Sequence, residues 1–272
     1  MVNPEQGRGQ SEFSGKPDIR FVNLELLDAF IITRMAQYGT CVVCVDGKRG
    51  IGKTTLQTTI RDRREQLFPL SPPIRPLHLE MDLSLYPRHS KERSMEHSSY
   101  DFIRWKTFQG WVKTTIEALK KHERTYVTLQ PVYLRKYEGS IKIGKGLGGG
   151  ARKELWRYKP WTFRREIPYP NPLVVVSGSF SHDQKITGPF SSVTEPIRIL
   201  IEADPKVQEA WIERRQRSKP YRAGFEERII TEHDNHSWDW YGHRYDIRNK
   251  AHIIVRAEDG HFTFQTNGHH GS

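Results

Sequence analysis

Residues 41–56 read CVVCVDGKRGIGKTTL. Within them Gly47, Lys48, Arg49, Gly50, Ile51, Gly52, Lys53 and Thr54 spell glycine, four residues, glycine, lysine and a hydroxyl residue. Each position has a physical task. Gly47, Gly50 and Gly52 permit backbone angles that a Cβ resists, so successive N–H groups can turn inward around a phosphate. Lys53 brings a mobile positive charge, and Thr54, with Thr55 beside it, opens a helix whose positive end faces the same point. The Thr54 hydroxyl is the expected ligand of a divalent cation. The flanks agree: 41–45 is a short apolar, β-branched run closing at Asp46, and the helix is expected to reach about Phe68. Strand, glycine-rich loop and helix in that order separate a phosphate-binding loop from a chance glycine turn. The expected ligands are a nucleoside triphosphate and Mg2+.

Outward from this unit the chain alternates strand and helix patterns. Leu24, Leu27, Ile31 and Met35 keep helical spacing and predict a helix over 24–38, capped by Asn23 and closed by Gly39. Residues 77–82 alternate as a strand ending in Asp82. A helix is expected over 100–122, with Phe102, Trp105, Phe108, Val112, Ile116 and Leu119 along one side. Residues 126–136 read as one strand or two short ones, GKGLGGG at 144–150 as a flexible connection, and 154–170 as aromatic and basic. The apolar run 173–176 fits a central parallel strand, followed by a strand over 197–202 and a helix over 205–217. A late strand at 252–255 and an edge strand at 261–265 complete the pattern. Such alternation implies right-handed crossovers and a mostly parallel sheet.

The expected fold class is therefore α/β: a three-layer α/β/α P-loop NTPase fold with a mostly parallel sheet and a β-rich insertion, which the resemblance set out below implies is a β-hairpin accompanied by an Arg-rich lid. The tail 1–19 is expected to be disordered, and 20–257 to form the domain, with the insertion at 126–170 and the lid region at 214–248. Residues 258–272 are read as a C-terminal edge strand and tail.

Composition bounds the partners. The 272 residues carry a formal charge of +11, which favours anionic ligands such as nucleotides, phosphorylated metabolites or nucleic acid. The basic clusters at 61–64, 145–165 and 214–228 read equally well as solvated faces. Cys41 and Cys44, three apart on a strand, point to opposite faces and read as small buried residues in a reducing compartment. No apolar run nears the roughly 20 residues that span a bilayer, and 1–20 lacks the apolar stretch of a signal peptide, so a cytoplasmic location is expected. His233, His236 and His243 match no zinc spacing. Trp238, Trp240 and Tyr241 read as packing residues, and the aromatics Trp156, Tyr158, Trp161 and Phe163 among basic residues as a packed hairpin or a nucleic-acid contact.

The Asn-Lys-x-Asp motif that reads guanine is missing, and 173–176 ends in Ser177-Gly178 rather than an acid. Across 24–257 the order of features resembles the uridine kinase, pantothenate kinase and phosphoribulokinase group. Met81-Asp82-Leu83-Ser84-Leu85-Tyr86 is similar to that group's acid followed by an aromatic residue, and Tyr100-Asp101-Phe102-Ile103-Arg104 to its aromatic-Asp pair. Residues 128–137 resemble a substrate-covering hairpin, and Arg214 to Arg222 an Arg-rich lid, with Ser218 standing where an Asp is usual.

The resemblance implies that Asp82 accepts the proton of an attacking hydroxyl and helps hold the metal, and that Arg217 and Arg222 act on the transferring phosphate while Arg214 contacts the nucleotide. It places Tyr86, Asp101, Arg104 and Tyr137 beside Asp82 on the acceptor side. It implies transfer of the γ-phosphate of ATP to an alcohol group of a small molecule, a nucleoside or similar metabolite. Ser177, lacking a carboxylate, leaves the usual outer contact to Mg2+ without its residue. Two other readings stay open. One is a 5′-hydroxyl polynucleotide kinase, motivated by the basic charge. The other is a nucleotide-binding regulatory module without transfer activity, motivated by Ser177 and Ser218.

Overall fold

The computed structural model describes residues 20–69, 76–86, 94, 96–140, 154–167, 169–217, 224–258 and 260–268. Of 130–140, 154–163, 215–217 and 224–228 it describes the backbone. The calls on the tail 1–19, the 144–150 connection, Ser218 and Arg222 lie outside the described residues.

Strand β2 (Cys41–Gly47) is buried along its whole length, as a run apolar on both faces must be. It pairs in parallel with β6 (Leu173–Ser177) on one side and β7 (Ile197–Ala203) on the other. Beyond β6 lies β3 (Leu77–Glu80), and beyond β7 lie β8 (Ile253–Glu258), β9 (His261–Thr266) and β1 (Arg20–Val22). The sheet has seven strands in the order β1-β9-β8-β7-β2-β6-β3. Only the β8–β9 pairing is antiparallel, so the sheet is mostly parallel.

Helices cover both faces. α1 (Glu25–Tyr38), α2 (Lys53–Leu67) and α5 (Pro205–Arg217) pack on one, where Leu27, Ile31, Leu56, Ile60 and Trp211 meet Val43, Val175 and Ile199. α3 (Trp105–Leu119), α4 (Gln184–Phe190), α6 (Gly224–Tyr245) and α7 (Ile247–Lys250) lie on the other, where Phe108, Trp111, Phe190, Tyr241 and Ile247 meet Val42, Val174 and Leu79. The three-layer α/β/α expectation holds. Cys41 and Cys44 enter opposite layers as the strand period requires, and burial pushes the Cys44 thiol up to about 12.

β4 (Thr125–Ser140) and β5 (Glu154–Ile167) pair antiparallel as a separate two-stranded ribbon. At its base Val127, Leu129 and Ile167 enter the core against α3, which anchors the ribbon to the domain.

Several local expectations change. Asn23 does not cap α1: its φ of 58° is left-handed and its Nδ2 donates to Phe264 O, so it ties the chain to β9. Gly39 does close α1, in the left-handed conformation. The strand expected over 77–82 stops at Glu80, and Asp82 rides a 3-10 turn (Met81–Ser84). The helix expected from residue 100 starts at Trp105, because 100–103 is drawn into a bridge between Ile103 and Leu85. β9 is not the edge strand, since β1 pairs outside it. Arg64, read with its neighbours as a solvated face, is fully buried, its guanidinium donating to Phe68 O and Asn171 O. The helices α4 and α6 have no counterpart in the expected elements.

Candidate active site

The strand order reverses around β2: α2 carries the chain out to β3, and β6 returns between the two. A crevice therefore opens at the carboxyl ends of β2 and β6, the usual ligand position in such sheets. The loop 47–52 leaves β2 there, and Ser177, Gly178 and Ser179 leave β6 beside it.

The loop is shaped by close approach. A Cβ at Gly47 would lie 2.8 Å from Ile201 O, and one at Gly52 would lie 2.5 Å from the Phe262 ring. Gly52 also has a φ of 89°, which glycine adopts without strain. Only bare backbone fits at these points, leaving a cradle of N–H groups at the start of α2.

Lys53 folds its Nζ back into this cradle, donating to Gly47 O at 2.7 Å and Lys48 O at 2.6 Å, with Ser179 Oγ at 3.4 Å. Burial lowers its pKa to about 8, while Asp82 and then Asp46 pull the other way. The turn bearing Asp82 leaves β3 at the same carboxyl end of the sheet as the loop after β2, with β6 between the two strands. Thr54 and Asp82 are both exposed there. A hydroxyl and a carboxylate are the hard oxygen donors that suit Mg2+, and the cradle suits the polyphosphate that would carry it.

The other acceptor-side candidates come together through two clasped segments. Tyr86 N donates to Phe102 O and Arg104 N to Ser84 O, both at 2.9 Å. This sets Asp82, Tyr86, Asp101 and Arg104 on adjoining turns. Asp101 is exposed and accepts from Ser98 Oγ. Its neighbour Tyr100 turns inward: its hydroxyl donates to Asp183 Oδ2 at 2.8 Å and accepts from Lys185 Nζ at 2.8 Å. The Tyr100 ring packs on Trp105 and Phe180. Burial and Asp183 raise its pKa, so it stays a neutral structural post. Arg214 is exposed on α5. The side chains of Arg217 and Tyr137 lie outside what is described.

Four features of the site escaped the sequence. Asp46, at the end of β2, is fully buried and accepts from Gly47 N, Phe180 N, His182 N and Trp238 Nε1. Three of these donors meet Oδ1 and one meets Oδ2, so Asp46 ties the loop after β2 to the β6 loop and to α6. Second, α6 docks on the loop. Lys48 pairs with Asp239 at 2.8 Å and lies over the Trp238 ring, while Arg49 pairs with Asp234 at 2.8 Å. The side chains of Lys48 and Arg49 therefore engage α6, and their share of the cradle is backbone. Third, Gln208 of α5 donates to Arg49 O at 2.6 Å. Fourth, Glu80 is half-buried beside Asp82, and burial followed by that neighbouring charge raises its pKa against the pull of Gln57 and Arg165.

His233 stacks on Phe102 and bonds His97 O and Ser99, so it serves as a fastener for the acceptor-side turn. Among the described residues no group of His, Cys, Asp or Glu forms a metal cluster, and no helix is long and apolar enough to cross a membrane. The sequence signal for Asp46 is its place just before the glycine loop, whose Gly47 N–H it accepts; its other donors, Phe180 N, His182 N and Trp238 Nε1, come from distant parts of the chain.

No protein-family model matches the chain, and no curated protein matches it. The chain is similar, at low identity, to solved structures. One, described as a possible uridine kinase from Bacillus stearothermophilus, has 14% identity and a TM-score of 0.47, covering 85% of this chain and 97% of its own. Another, the YGR205w protein, has 13% identity and a TM-score of 0.49, covering 86% of this chain and 91% of its own.

Proposed function

We propose that this chain is a P-loop kinase that moves the γ-phosphate of ATP to an alcohol group of a small molecule, a nucleoside or similar metabolite. One observation carries the reading: a complete glycine cradle holds Lys53 on its loop carbonyls, and the exposed Asp82 leaves the sheet at the same end on the turn after β3. Phosphoryl transfer asks little covalent work of a protein; it asks for positive charge at the moving group and a positioned acceptor. Lys53 supplies the first, released from the loop carbonyls to the terminal phosphates. Arg214, Arg217 and Arg222, at the end of α5 and just beyond it, add charge from the lid side. Bound Mg2+ would neutralise the distal phosphates, held through Thr54 with Asp82 as a second oxygen donor. Asp82 orients and deprotonates the acceptor hydroxyl, with Tyr86, Asp101, Arg104 and Tyr137 placing the acceptor. A cytoplasmic site of action is part of this reading.

The test is a panel of nucleosides, pantothenate, sugars and oligonucleotides incubated with γ-labelled ATP and the full-length protein. Label on a small-molecule alcohol is the expected result. No label on any acceptor would leave only a nucleotide-binding regulatory role.

A second reading has its own observation. Residues 124–167, the ribbon and its connection, hold eleven Lys and Arg against three Asp and Glu. Backbone register pairs Tyr133, Arg135 and Tyr137 with Pro160, Tyr158 and Trp156, and this basic-aromatic composition suits a single-stranded 5′-hydroxyl polynucleotide. Label on an oligonucleotide, with binding that weakens steeply as salt rises, would favour it over the small-molecule acceptor.

A further inference from the structure

β6 ends at Ser177 on the side of the sheet covered by α2, because Leu173 and Val175 of the same strand pack with Leu56 and Ile60. In P-loop proteins an acid at this kind of strand end helps hold Mg2+ beside the loop's own hydroxyl. A serine cannot supply that charge. Asp46, the acid at the end of β2, already accepts four hydrogen bonds.

One further carboxylate lies on the same face. Leu77 and Leu79 of β3 point to the opposite layer with Phe108 and Val174, so His78 and Glu80 lie on the α2 side. Glu80 is the direct register partner of Ser177 across the β3–β6 pair. Adjacent strands are about 4.8 Å apart, and glutamate is one methylene longer than aspartate. Gln57, one turn beyond Thr54 on α2, lines this side of the site: it shares a hydrogen bond with His78 Nδ1 at 2.8 Å, and its amide favours the charged form of Glu80. Arg165, at the base of the ribbon, also faces the Glu80 carboxylate and keeps charge near it.

We propose that Glu80 takes over the task that Ser177 lacks the charge to perform: it holds the water shell of the Mg2+ carried in by the nucleotide, on the Thr54 side. That division leaves Asp82 to the acceptor hydroxyl. The proposal rests on the kinase reading of the same loop and adds a positioning residue on the neighbouring strand. Ser177 and Glu80 are then one functional position distributed over a registered pair, and an acid on either strand would serve.

The test compares wild type, Glu80→Gln, Ser177→Asp and the double variant by calorimetric titration with ATP, each with and without Mg2+. Wild type is expected to gain affinity when Mg2+ is present. Glu80→Gln is expected to lose about tenfold of that gain, the scale of an outer-contact loss, with affinity for metal-free ATP unchanged. Ser177→Asp in the Glu80→Gln background is expected to restore it, a rescue that a merely structural role for Glu80 does not predict. Glu80→Gln that keeps the full Mg2+ gain, or a double variant no better than Glu80→Gln, would overturn the assignment to Glu80 while leaving the loop intact. Wild type that binds no ATP in either condition would instead overturn the loop reading, and the proposal with it.

Discussion

The two walls of the crevice are built in opposite ways. The wall proposed to hold the phosphate donor, the donor wall, is local: a strand, a six-residue turn and a helix, shaped by glycines that admit no Cβ and by a lysine bonded to carbonyls five and six residues before it. The acceptor wall is assembled from distant pieces: the turn after β3, the 98–104 segment clasped to it, and α6, which fastens both to the phosphate loop. A local wall is specified by its own sequence and tolerates change elsewhere. An assembled wall depends on contacts whose partners lie far apart, and a change in one piece reaches the others.

The largest expected effect falls on the donor wall. Lys53→Ala removes the mobile charge and is expected to lower phosphoryl transfer by about 10³-fold, read as initial rate with γ-labelled ATP. Asp82→Asn tests the facing wall. It is expected to lower turnover by roughly 10²-fold, more than it lowers MgATP affinity, because the acceptor's proton loses its base while Thr54 and Lys53 still hold the nucleotide. Normal turnover in this variant would remove the proposed base.

Asp46→Asn probes the joint between the walls. It puts an amide N–H₂ against donors that now meet a carboxylate oxygen, and is expected to cost about 2 kcal/mol. A fall in melting temperature of roughly 4–8 °C would report it for a domain of this size. If the walls are independent, the melting temperature will not move.

The pH dependence sharpens the donor side alone. Lys53 is charged in the free protein only below about 8. Nucleotide affinity should therefore be level below that pH and fall as pH rises through it, by up to about tenfold per unit. Binding above pH 8 should take up a proton, seen as a dependence of the calorimetric heat on buffer ionisation. Lys53→Ala should show neither.

The smallest effects concern the ties to α6. Lys48–Asp239 is a largely solvated pair, so Asp239→Ala is expected to cost under about 1 kcal/mol. Asp234→Ala, which removes an ion pair from Arg49 and a hydrogen bond from Ser99, should cost more by denaturant melt. Equal costs would mean that α6 grips the loop only through solvated charge.

What could be read from the chain follows the same division. The phosphate loop, β2, α2, β6, β7 and α5 were legible because their determinants sit within a few residues of each other. Asp46 was not, since its partner Trp238 is 192 residues away and only the folded sheet brings the two together. Arg64 looked like its basic neighbours because composition does not reveal which face of a helix meets a buried carbonyl. The pairing of Glu80 with Ser177 needed strand order, which alternating patterns leave open. Tyr100 and Asp101 were singled out as a pair, yet one is a buried post and the other exposed, a difference set by the turn that replaces the expected helix start.

The most direct measurement is calorimetric titration of the full-length protein with MgATP, run beside Lys53→Ala. Saturable heat at one site per chain in wild type, lost or strongly weakened in the variant, is the predicted result. No heat in wild type, or an unchanged isotherm in Lys53→Ala, would contradict a cradle that grips a polyphosphate through its lysine.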